Sequence, residues 1–179
     1  FNFSKKLNAK LETNVIEKAD AIITTVGDRY HKILKAKITN PEKIHQIYNG
    51  YDKLTYDKIE EIKPKKFNIV FTGMLTQNHN YETFYEVLKI LNPKKNNLNL
   101  ILTFAGRIDK KIIKIYSNKI ELLNKGYIDH NNAISTIKSS HLLINFNYKN
   151  TEETDMISGK LIEYLASGSP IINFSNSAK

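Results

Sequence analysis

The sequence predicts an α/β fold in which helices flank a parallel β-sheet. Strand-like and helix-like segments alternate from Phe67 onwards, their connections are short and polar, and the strands carry apolar residues on both faces. Strands that are apolar on both faces are expected where helices cover both sides of a parallel sheet. With the right-handed crossovers that such connections take, the pattern predicts a Rossmann-like sheet.

The first 51 residues predict a smaller helix-and-strand group. The predicted elements are a helix at Ser4–Lys18 with Leu7, Leu11, Val15 and Ala19 on one side, a strand at Ala21–Val26, a helix from Asp28, a turn of helix at Asn40-Pro41 and a strand at Ile44–Tyr48. Residues 52–66 are charged, contain Pro64 and lack an apolar face, so they predict a linker or a surface helix at a domain boundary.

After residue 66 the predicted elements follow in strict alternation. The first is a strand at Phe67–Thr72, and it is followed by a helix that stops before Pro93 and whose predicted buried face consists of Tyr81, Phe84, Tyr85, Leu88 and Leu91. The others are a strand at Leu98–Ala105, a helix from Asp109 to Tyr116, a strand from Ile120, a helix capped by Asp129, a strand at His141–Phe146, a helix from Ser158 and a strand at Pro170–Phe174. No helix follows the last strand, so we expect a part of a longer protein.

Composition narrows the function classes. The 179 residues are 41% hydrophobic and 25% charged, as in a globular protein, and contain no apolar run of the roughly 20 residues that a membrane span needs. With no cysteine there is no disulfide framework or thiolate metal site, which is compatible with a cytoplasmic protein. The five histidines lack metal-ligand spacing, so no metal site is predicted.

The formal net charge of +9 comes from scattered lysines. Such scatter favours a solvated basic surface over a nucleic-acid site, and no nucleic-acid partner is expected. An anionic partner stays open: a nucleoside diphosphate, a lipid phosphate or the anionic face of a membrane.

Ligands of open parallel sheets bind beyond the carboxyl ends of the strands. The loops there begin at Gly73, Gly106, Gly126 and Asn147, and none contains a dinucleotide fingerprint or a P-loop. The last of these loops leads into the most specific segment, in which Ser158 can cap a helix, Gly159 leaves its first turn uncovered and Lys160 adds a positive charge. A helix N-terminus of this kind suits a phosphate, and a carboxylate at Glu163 can accept hydrogen bonds from a ribose.

The segment GKLIEYLASGSPII resembles the hallmark of retaining glycosyltransferases of family four, which have the GT-B architecture. That hallmark has two acidic residues separated by seven others, as are Asp155 and Glu163. The resemblance implies the following roles: donor sugar, Asp155; nucleotide ribose, Glu163; diphosphate, Gly73, Ser158, Gly159, Lys160 and Leu161; base, the backbone near Tyr127 and Ile128.

Further segments extend the resemblance over nearly the whole chain. ADAIITTV is similar to the last strand of the family's N-terminal domain, NPEKIHQIYNGYD to the passage into the hinge, and FTGMLTQNHNYETF to the start of the donor domain. The implied organisation is the end of an acceptor-side domain and hinge at 1–51, a linker at 52–66, and a donor domain, incomplete at its C-terminus, at 67–179. The catalytic residues would then lie in the missing N-terminal domain.

Two departures from the family pattern concern the phosphates and the sugar. Met74 and His79 stand where many members have Arg and Lys, which shifts phosphate binding towards the helix terminus, Lys160 and Arg107. Asp155 replaces the usual Glu and is shorter by one methylene. If the resemblance did not hold, Glu163 would be a surface carboxylate paired with Lys160 or Ser167.

The resemblance implies an enzyme that transfers a hexose from a UDP- or GDP-sugar to a glycan or lipid-linked acceptor with retention, without a metal and without activity in this fragment alone. It implies bacterial polysaccharide biosynthesis in the cytoplasm, at the inner face of the membrane. A nucleotide-sugar epimerase of GT-B architecture and a non-catalytic nucleotide- or nucleic-acid-binding module remain alternatives. Product analysis and the response to Glu163→Ala separate them.

Overall fold

The computed structural model describes residues 2–25, 27–149 and 159–174. These residues divide into two compact units, with the division between Gly50 and Tyr51. No helix within this part of the chain is long and apolar enough to cross a membrane.

The first unit is built on a two-stranded parallel sheet. Its elements are α1 (Asn2–Lys18), β1 (Ile22–Thr24), α2 (Asp28–Lys35), a 3₁₀ turn (Pro41–Lys43) and β2 (Ile44–Gln46). The strands are shorter than predicted because only three residue pairs, from Ile22–Ile44 to Thr24–Gln46, stand in register. The Asn40 side chain caps the 3₁₀ turn by accepting a hydrogen bond from the Glu42 amide, as its position before a proline predicts.

The face of α1 that packs differs from the predicted one. The residues at helical spacing, Leu7, Leu11 and Val15, are exposed, and Val15 keeps 67% of its surface accessible. Ile16 instead packs with Leu34 and Ile44 in a small buried cluster. The spacing alone identified an apolar stripe, whereas the position of α2 and β2 decides which side of α1 is covered.

The second unit contains the larger sheet. Its elements are α3 (Lys53–Lys58), β3 (Phe67–Thr72), α4 (Glu82–Leu91), β4 (Leu100–Ala105), α5 (Lys110–Ser117), β5 (Glu121–Asn124), α6 (His130–Lys138), β6 (Leu142–Phe146), α7 (Gly159–Ala166) and β7 (Ile171–Phe174). The strands are parallel in the order β5-β4-β3-β6-β7. The predicted α/β fold with a parallel sheet is therefore confirmed.

Helices cover both faces of this sheet, as the two-sided apolar strands predict. Phe71 of β3 lies in the cluster that contains Phe84 of α4 and Tyr116 of α5. Val70, its neighbour, points to the opposite face and packs on Ile137 of α6 and Tyr164 of α7. Tyr164 thereby fixes α7, the helix of the most specific sequence segment, against the central strand.

Side chains at the helix ends set where the helices begin and stop. Asp109 and Asp129 accept hydrogen bonds from the amides of Lys111 and Asn132, so both predicted caps are confirmed. Asn92 ends α4 in a left-handed conformation, immediately before Pro93. The prediction that Leu91 lies on the buried face of this helix is wrong: Leu91 is the last helical residue and is exposed, whereas Phe84 and Leu88 are buried.

The segment predicted as a linker or a surface helix contains α3, which is anchored by a residue that the sequence pattern did not single out. Tyr56 is buried, and its hydroxyl donates to the Glu163 carbonyl of α7 at 2.8 Å. The Lys138 ammonium of α6 donates to the Tyr56 carbonyl at 2.9 Å. Tyr56 is the one buried residue of α3, so this helix has no periodic apolar face in the sequence.

Candidate functional site

Three glycines follow the adjacent strands β3, β4 and β5 at the carboxyl edge of the sheet. Gly73, Gly106 and Gly126 have φ angles of +105°, +132° and +65°. The Gly73 amide donates to the Ala105 carbonyl at 2.8 Å, and the Gly106 amide donates to the Gly126 carbonyl at 2.6 Å. These bonds continue the backbone hydrogen bonding between the strands past the strand ends. They bring the three loops together without side chains between them.

Gly106 is the most crowded of the three glycines. A Cβ atom on this residue would lie 2.0 Å from the Gly73 carbonyl oxygen, and its φ lies in a region that other residues rarely adopt. The Gly73 position is less crowded, since its nearest contact would be Lys160 Cδ at 3.7 Å. The two glycines therefore let the β3 and β4 loops touch and leave the Lys160 side chain room beside them.

A buried tyrosine positions α7 over this edge. The Tyr164 hydroxyl accepts a hydrogen bond from the Thr72 amide at 2.8 Å and one from the Thr72 hydroxyl at 3.2 Å. Burial raises the pKa of Tyr164 to about 12, so the phenol stays neutral at ordinary pH. The last residue of β3 and the second turn of α7 are joined in this way, and the start of α7 lies beside Gly73.

Lys160 is a partly buried cation at the start of α7. Its ammonium lies 4.3 Å from the centre of the Phe71 ring, a cation–π contact. No carboxylate in the described ranges pairs with it, and burial lowers its pKa to about 8. A cation held in this way, next to the positive end of a helix dipole, is suited to receive an anion.

Glu163 lies one turn further along α7, with its carboxylate 3.8 Å from Nδ1 of His130. That pairing differs from the alternative expected from the sequence, in which Lys160 or Ser167 would take the carboxylate. His130 is the first residue of α6, and α6 starts at the same edge of the sheet. The imidazole and the carboxylate therefore lie next to each other at the site, although they come from two different helices.

These residues border one cavity of about 540 Å³ within the second unit. Its lining consists of Thr72, Gly73, Met74, Ala105, Gly106, Arg107, Tyr127, Ile128, His130, Ala133, Lys160 and Glu163. The size is within the range of small-molecule sites, about 300–1,000 Å³. The lining includes two basic side chains and a histidine, but one carboxylate.

The cavity brings together five of the residues to which the resemblance assigns a role, Gly73, Tyr127, Ile128, Lys160 and Glu163, as well as Arg107. Gly159 and Leu161 belong to α7 but do not line the cavity. Asp155 and Ser158 lie outside the described residues. The roles assigned to all of these residues remain predictions.

His79, one of the two departures from the family pattern, has a packing role. It is buried, its Nδ1 accepts a hydrogen bond from the Thr76 amide at 3.1 Å, and its ring lies 4.2 Å from that of Tyr148. Burial lowers its pKa. His79 thus ties the loop after β3 to the residues that follow β6 and is absent from the cavity lining.

Sequence reasoning missed His130 as a member of the site, although it identified Asp129 as the cap of the same helix. Because the helix begins where the strands end, the residue after its cap was a candidate for the pocket. Met74, the other departure, is half exposed and borders the cavity, where a basic residue was expected by resemblance. Within residues 2–25, 27–149 and 159–174, no group of three or more His, Cys, Asp or Glu side chains could hold a metal ion.

No protein-family model and no curated protein matches the sequence. Solved structures do match the fold. A mutant of S. aureus TarM in complex with Fondaparinux, alpha-GlcNAc-glycerol and UDP has a TM-score of 0.64 and 17% identity over 92% of this chain and 32% of its own. Anabaena Alr3699/HepE in complex with UDP-glucose has a TM-score of 0.65 and 12% identity over 93% of this chain and 48% of its own.

The pneumococcal O-GlcNAc transferase GtfA, in complex with UDP and GlcNAc, has a TM-score of 0.62 and 18% identity over 90% of this chain and 31% of its own. This chain therefore spans about a third to a half of the length of the structures it matches. At these identities the likeness shows the fold, which is that of the Rossmann-like domains of GT-B proteins.

Proposed function

We propose that this chain is the donor-binding part of a glycosyltransferase and that its carboxyl-edge cavity receives a nucleoside diphosphate sugar. The observation that carries the proposal is the convergence of Gly73, Lys160, Glu163 and the Tyr127-Ile128 pair on one cavity. These residues come from three separate segments, to which resemblance assigns the diphosphate, the ribose and the base of one ligand. The UDP and UDP-glucose complexes of the matched TarM, GtfA and HepE structures support the same ligand class.

The diphosphate is assigned to the Lys160 side of the cavity. The Lys160 ammonium carries a charge that no described carboxylate compensates, and a phosphate would supply the missing partner. Gly73 has no side chain to keep a ligand from the β3 loop, and the exposed Arg107 adds a second cation at the rim. Because Met74 contributes no charge, Lys160 carries most of this binding.

The ribose and the base are assigned to the opposite side. Glu163 offers two carboxylate oxygens to a pair of hydroxyls, and His130 lies close enough to orient it. Tyr127 is 83% exposed at the edge of the cavity, next to Ile128. An exposed aromatic ring beside a partly buried aliphatic side chain gives a planar base an apolar surface.

In the complete enzyme the reaction would break the bond between the sugar and the diphosphate. The leaving group gains negative charge in the transition state, and the Lys160 ammonium with the α7 dipole would stabilise that charge. Asp155 would contact the donor sugar, and Ser158, Gly159 and Leu161 would border the diphosphate. The assignment of 1–51 to an acceptor-side domain and hinge, 52–66 to a linker and 67–179 to the donor domain belongs to the same proposal.

The proposal also covers the reaction and its place. The full-length protein would transfer a hexose with retention to a glycan or lipid-linked acceptor, in the cytoplasm at the inner face of the membrane. Catalytic residues would lie in the N-terminal domain, so we expect this chain to bind the donor without transferring it. No metal is assigned to the diphosphate, and equal donor affinity in EDTA and in Mg²⁺ is the corresponding expectation. A clear gain in affinity with Mg²⁺ would refute it.

Calorimetric titration with UDP, GDP and their sugars tests the donor site. Glu163→Ala removes the carboxylate and should lower the affinity for the tightest-binding of these ligands about 30-fold, since a charge-assisted contact contributes about 2 kcal/mol. Glu121→Ala, which removes an exposed carboxylate at the far edge of the sheet, is the matched control and should bind normally. The proposal fails if neither this chain nor the full-length protein binds any of the ligands.

The reaction itself requires the full-length protein. Incubation with a donor sugar and candidate acceptors should give a glycoside whose anomeric configuration, read by NMR, equals that of the donor. Conversion of the donor to an isomer in the absence of acceptor would instead assign the protein to epimerases.

A further inference from the structure

Lys160 differs from the exposed lysines in what surrounds its amino group. Lys53 and Lys89 pair with carboxylates on their own helices, and these partners raise their pKa values. The Lys160 amino group instead lies over the Phe71 ring, without a carboxylate partner in the described ranges, and the residue lines a cavity of about 540 Å³. It is thus a shielded amine on a side chain that borders a cavity.

We propose that Lys160 is a site of covalent acylation by acyl phosphates, and that acylation switches off nucleotide binding by this chain. The modification needs only the amine and its cavity, whereas its effect on nucleotide binding rests on the proposed function.

The charges of the cavity select an anionic reagent. An acyl phosphate carries its negative charges on the phosphate, next to the reacting carbonyl carbon. Arg107 lines the same cavity as Lys160, and Lys160 is the second residue of α7, so a cation and the positive end of the helix dipole both attract such a group. A phosphate bound there holds the carbonyl close to the nitrogen, which makes the reaction effectively intramolecular.

The amine is also available as a nucleophile. Burial lowers the pKa of Lys160 to about 8. At pH 7.5 about a quarter of such amines are neutral, against about one in a thousand for an ordinary lysine. Because an amine of lower basicity is less nucleophilic, the larger neutral fraction does not translate fully into rate. The expected rate of acylation at Lys160 is about tenfold that of an ordinary lysine.

The step balances without any further reagent. The neutral Nζ attacks the carbonyl carbon, the bond between that carbon and the phosphate oxygen breaks, and inorganic phosphate leaves with the electron pair. The proton from Nζ passes to the phosphate or to water. The product is a neutral amide, so the charge that would hold a diphosphate is lost.

Mass spectrometry after treatment with acetyl phosphate at pH 7.5 tests the site. We expect Lys160 to be acetylated about ten times faster than Lys53 and Lys89, which serve as reference lysines in the same chain. A rate at Lys160 no higher than at these two would overturn the proposal.

A second sample, treated with acetyl phosphate in the presence of saturating UDP, tests the consequence. Surface lysines should be acetylated equally in both samples, while Lys160 stays free in the protected one. After removal of the reagents, the unprotected sample should have lost UDP affinity at least tenfold and the protected sample should have kept it. Equal affinity of both samples would contradict the switch. If the untreated chain does not bind UDP at all, the proposed function fails, and the rate at Lys160 still decides the modification.

Discussion

Two cavities of similar size lie at opposite edges of the same sheet, and they differ in how their charges are compensated. The cavity at the amino edge measures about 620 Å³ and is lined by residues before β4 and β5. There Glu121 pairs with Lys66, and the Lys94 ammonium donates to the Ser117 carbonyl. The cavity at the carboxyl edge measures about 540 Å³ and holds Lys160 without a carboxylate partner in the described chain.

Volume therefore does not distinguish the proposed donor site from the cavity at the amino edge. At the amino edge the charged side chains are exposed and already have partners, so a ligand would gain little there. At the carboxyl edge a cation is held out of water, and the backbone adopts conformations that favour glycine. The shielded cation and the glycine conformations both lower the free energy of unfolding, and an anionic ligand would offset the cost of the cation.

The largest effect on stability is expected at Gly106, where two backbone loops of the carboxyl edge are in contact. Gly106→Ala places a methyl group on the Gly73 carbonyl oxygen and forces an unfavourable φ, so we expect a loss of about 3 kcal/mol in the free energy of unfolding. Urea denaturation measures it. Gly168→Ala is the matched control, because Gly168 has a φ of +70° but open space around its Cβ position, and it should lose about 1 kcal/mol. Equal losses would show that the contact between the loops is unimportant.

Lys160→Met should raise the free energy of unfolding and lower the affinity for the nucleotide. The folded-state pKa of about 8 is below the unfolded value, so protonated Lys160 costs stability at neutral pH, and Met removes about 2 kcal/mol of that cost. Wild-type stability should rise between about pH 8 and pH 10.5 as the folded chain loses the proton first, and the advantage of the variant should shrink over the same range. Lys94→Met at the amino edge should change stability by less than about 0.5 kcal/mol.

The same titrations report on the ligand. UDP affinity of the wild type should fall as pH rises through about 8, because the neutral amine no longer attracts phosphate. Affinity of Lys160→Met should be lower at neutral pH and independent of pH in this window. A Lys160→Met variant that is less stable than the wild type at pH 7 would mean that the ammonium has a compensating partner.

Met74→Arg tests whether a further cation, beside Lys160 and Arg107, strengthens phosphate binding at the carboxyl edge. The side chain borders the cavity and is half exposed, so an arginine can be placed there without burying charge. We expect UDP affinity to rise about fivefold, which corresponds to about 1 kcal/mol. Leu98→Arg adds the same charge beside the amino-edge cavity and should leave the affinity unchanged. A gain in both variants would indicate a long-range charge effect instead.

The smallest effect is expected for His130→Ala. His130 is exposed, and its contact with Glu163 is at the outer limit of an ion pair, so its removal should weaken UDP binding about twofold. An effect as large as that of Glu163→Ala would make His130 a direct ligand contact rather than a residue that orients the carboxylate.

The order of the elements could be predicted from the sequence because each is determined locally. Asp109 and Asp129 cap the helices that follow them, Pro93 stops α4, and the two-sided apolar strands imply helices on both faces of the sheet. The same reasoning failed for α1, since Leu7 and Val15 form a stripe that nothing in the described part of the first unit covers, while Ile16 is buried.

The sequence by itself determined the parallel α/β fold, its helix caps, and which loops would reach the carboxyl edge, because periodicity and capping depend on neighbours in the chain. Tertiary structure decided that Gly106 touches Gly73, that Tyr164 and Tyr56 fix α7, and that His130 faces Glu163. It also decided the state of Lys160, whose ammonium lies over the Phe71 ring and whose pKa is lowered by burial. These are contacts between residues distant in the chain, and only the packed sheet brings them together.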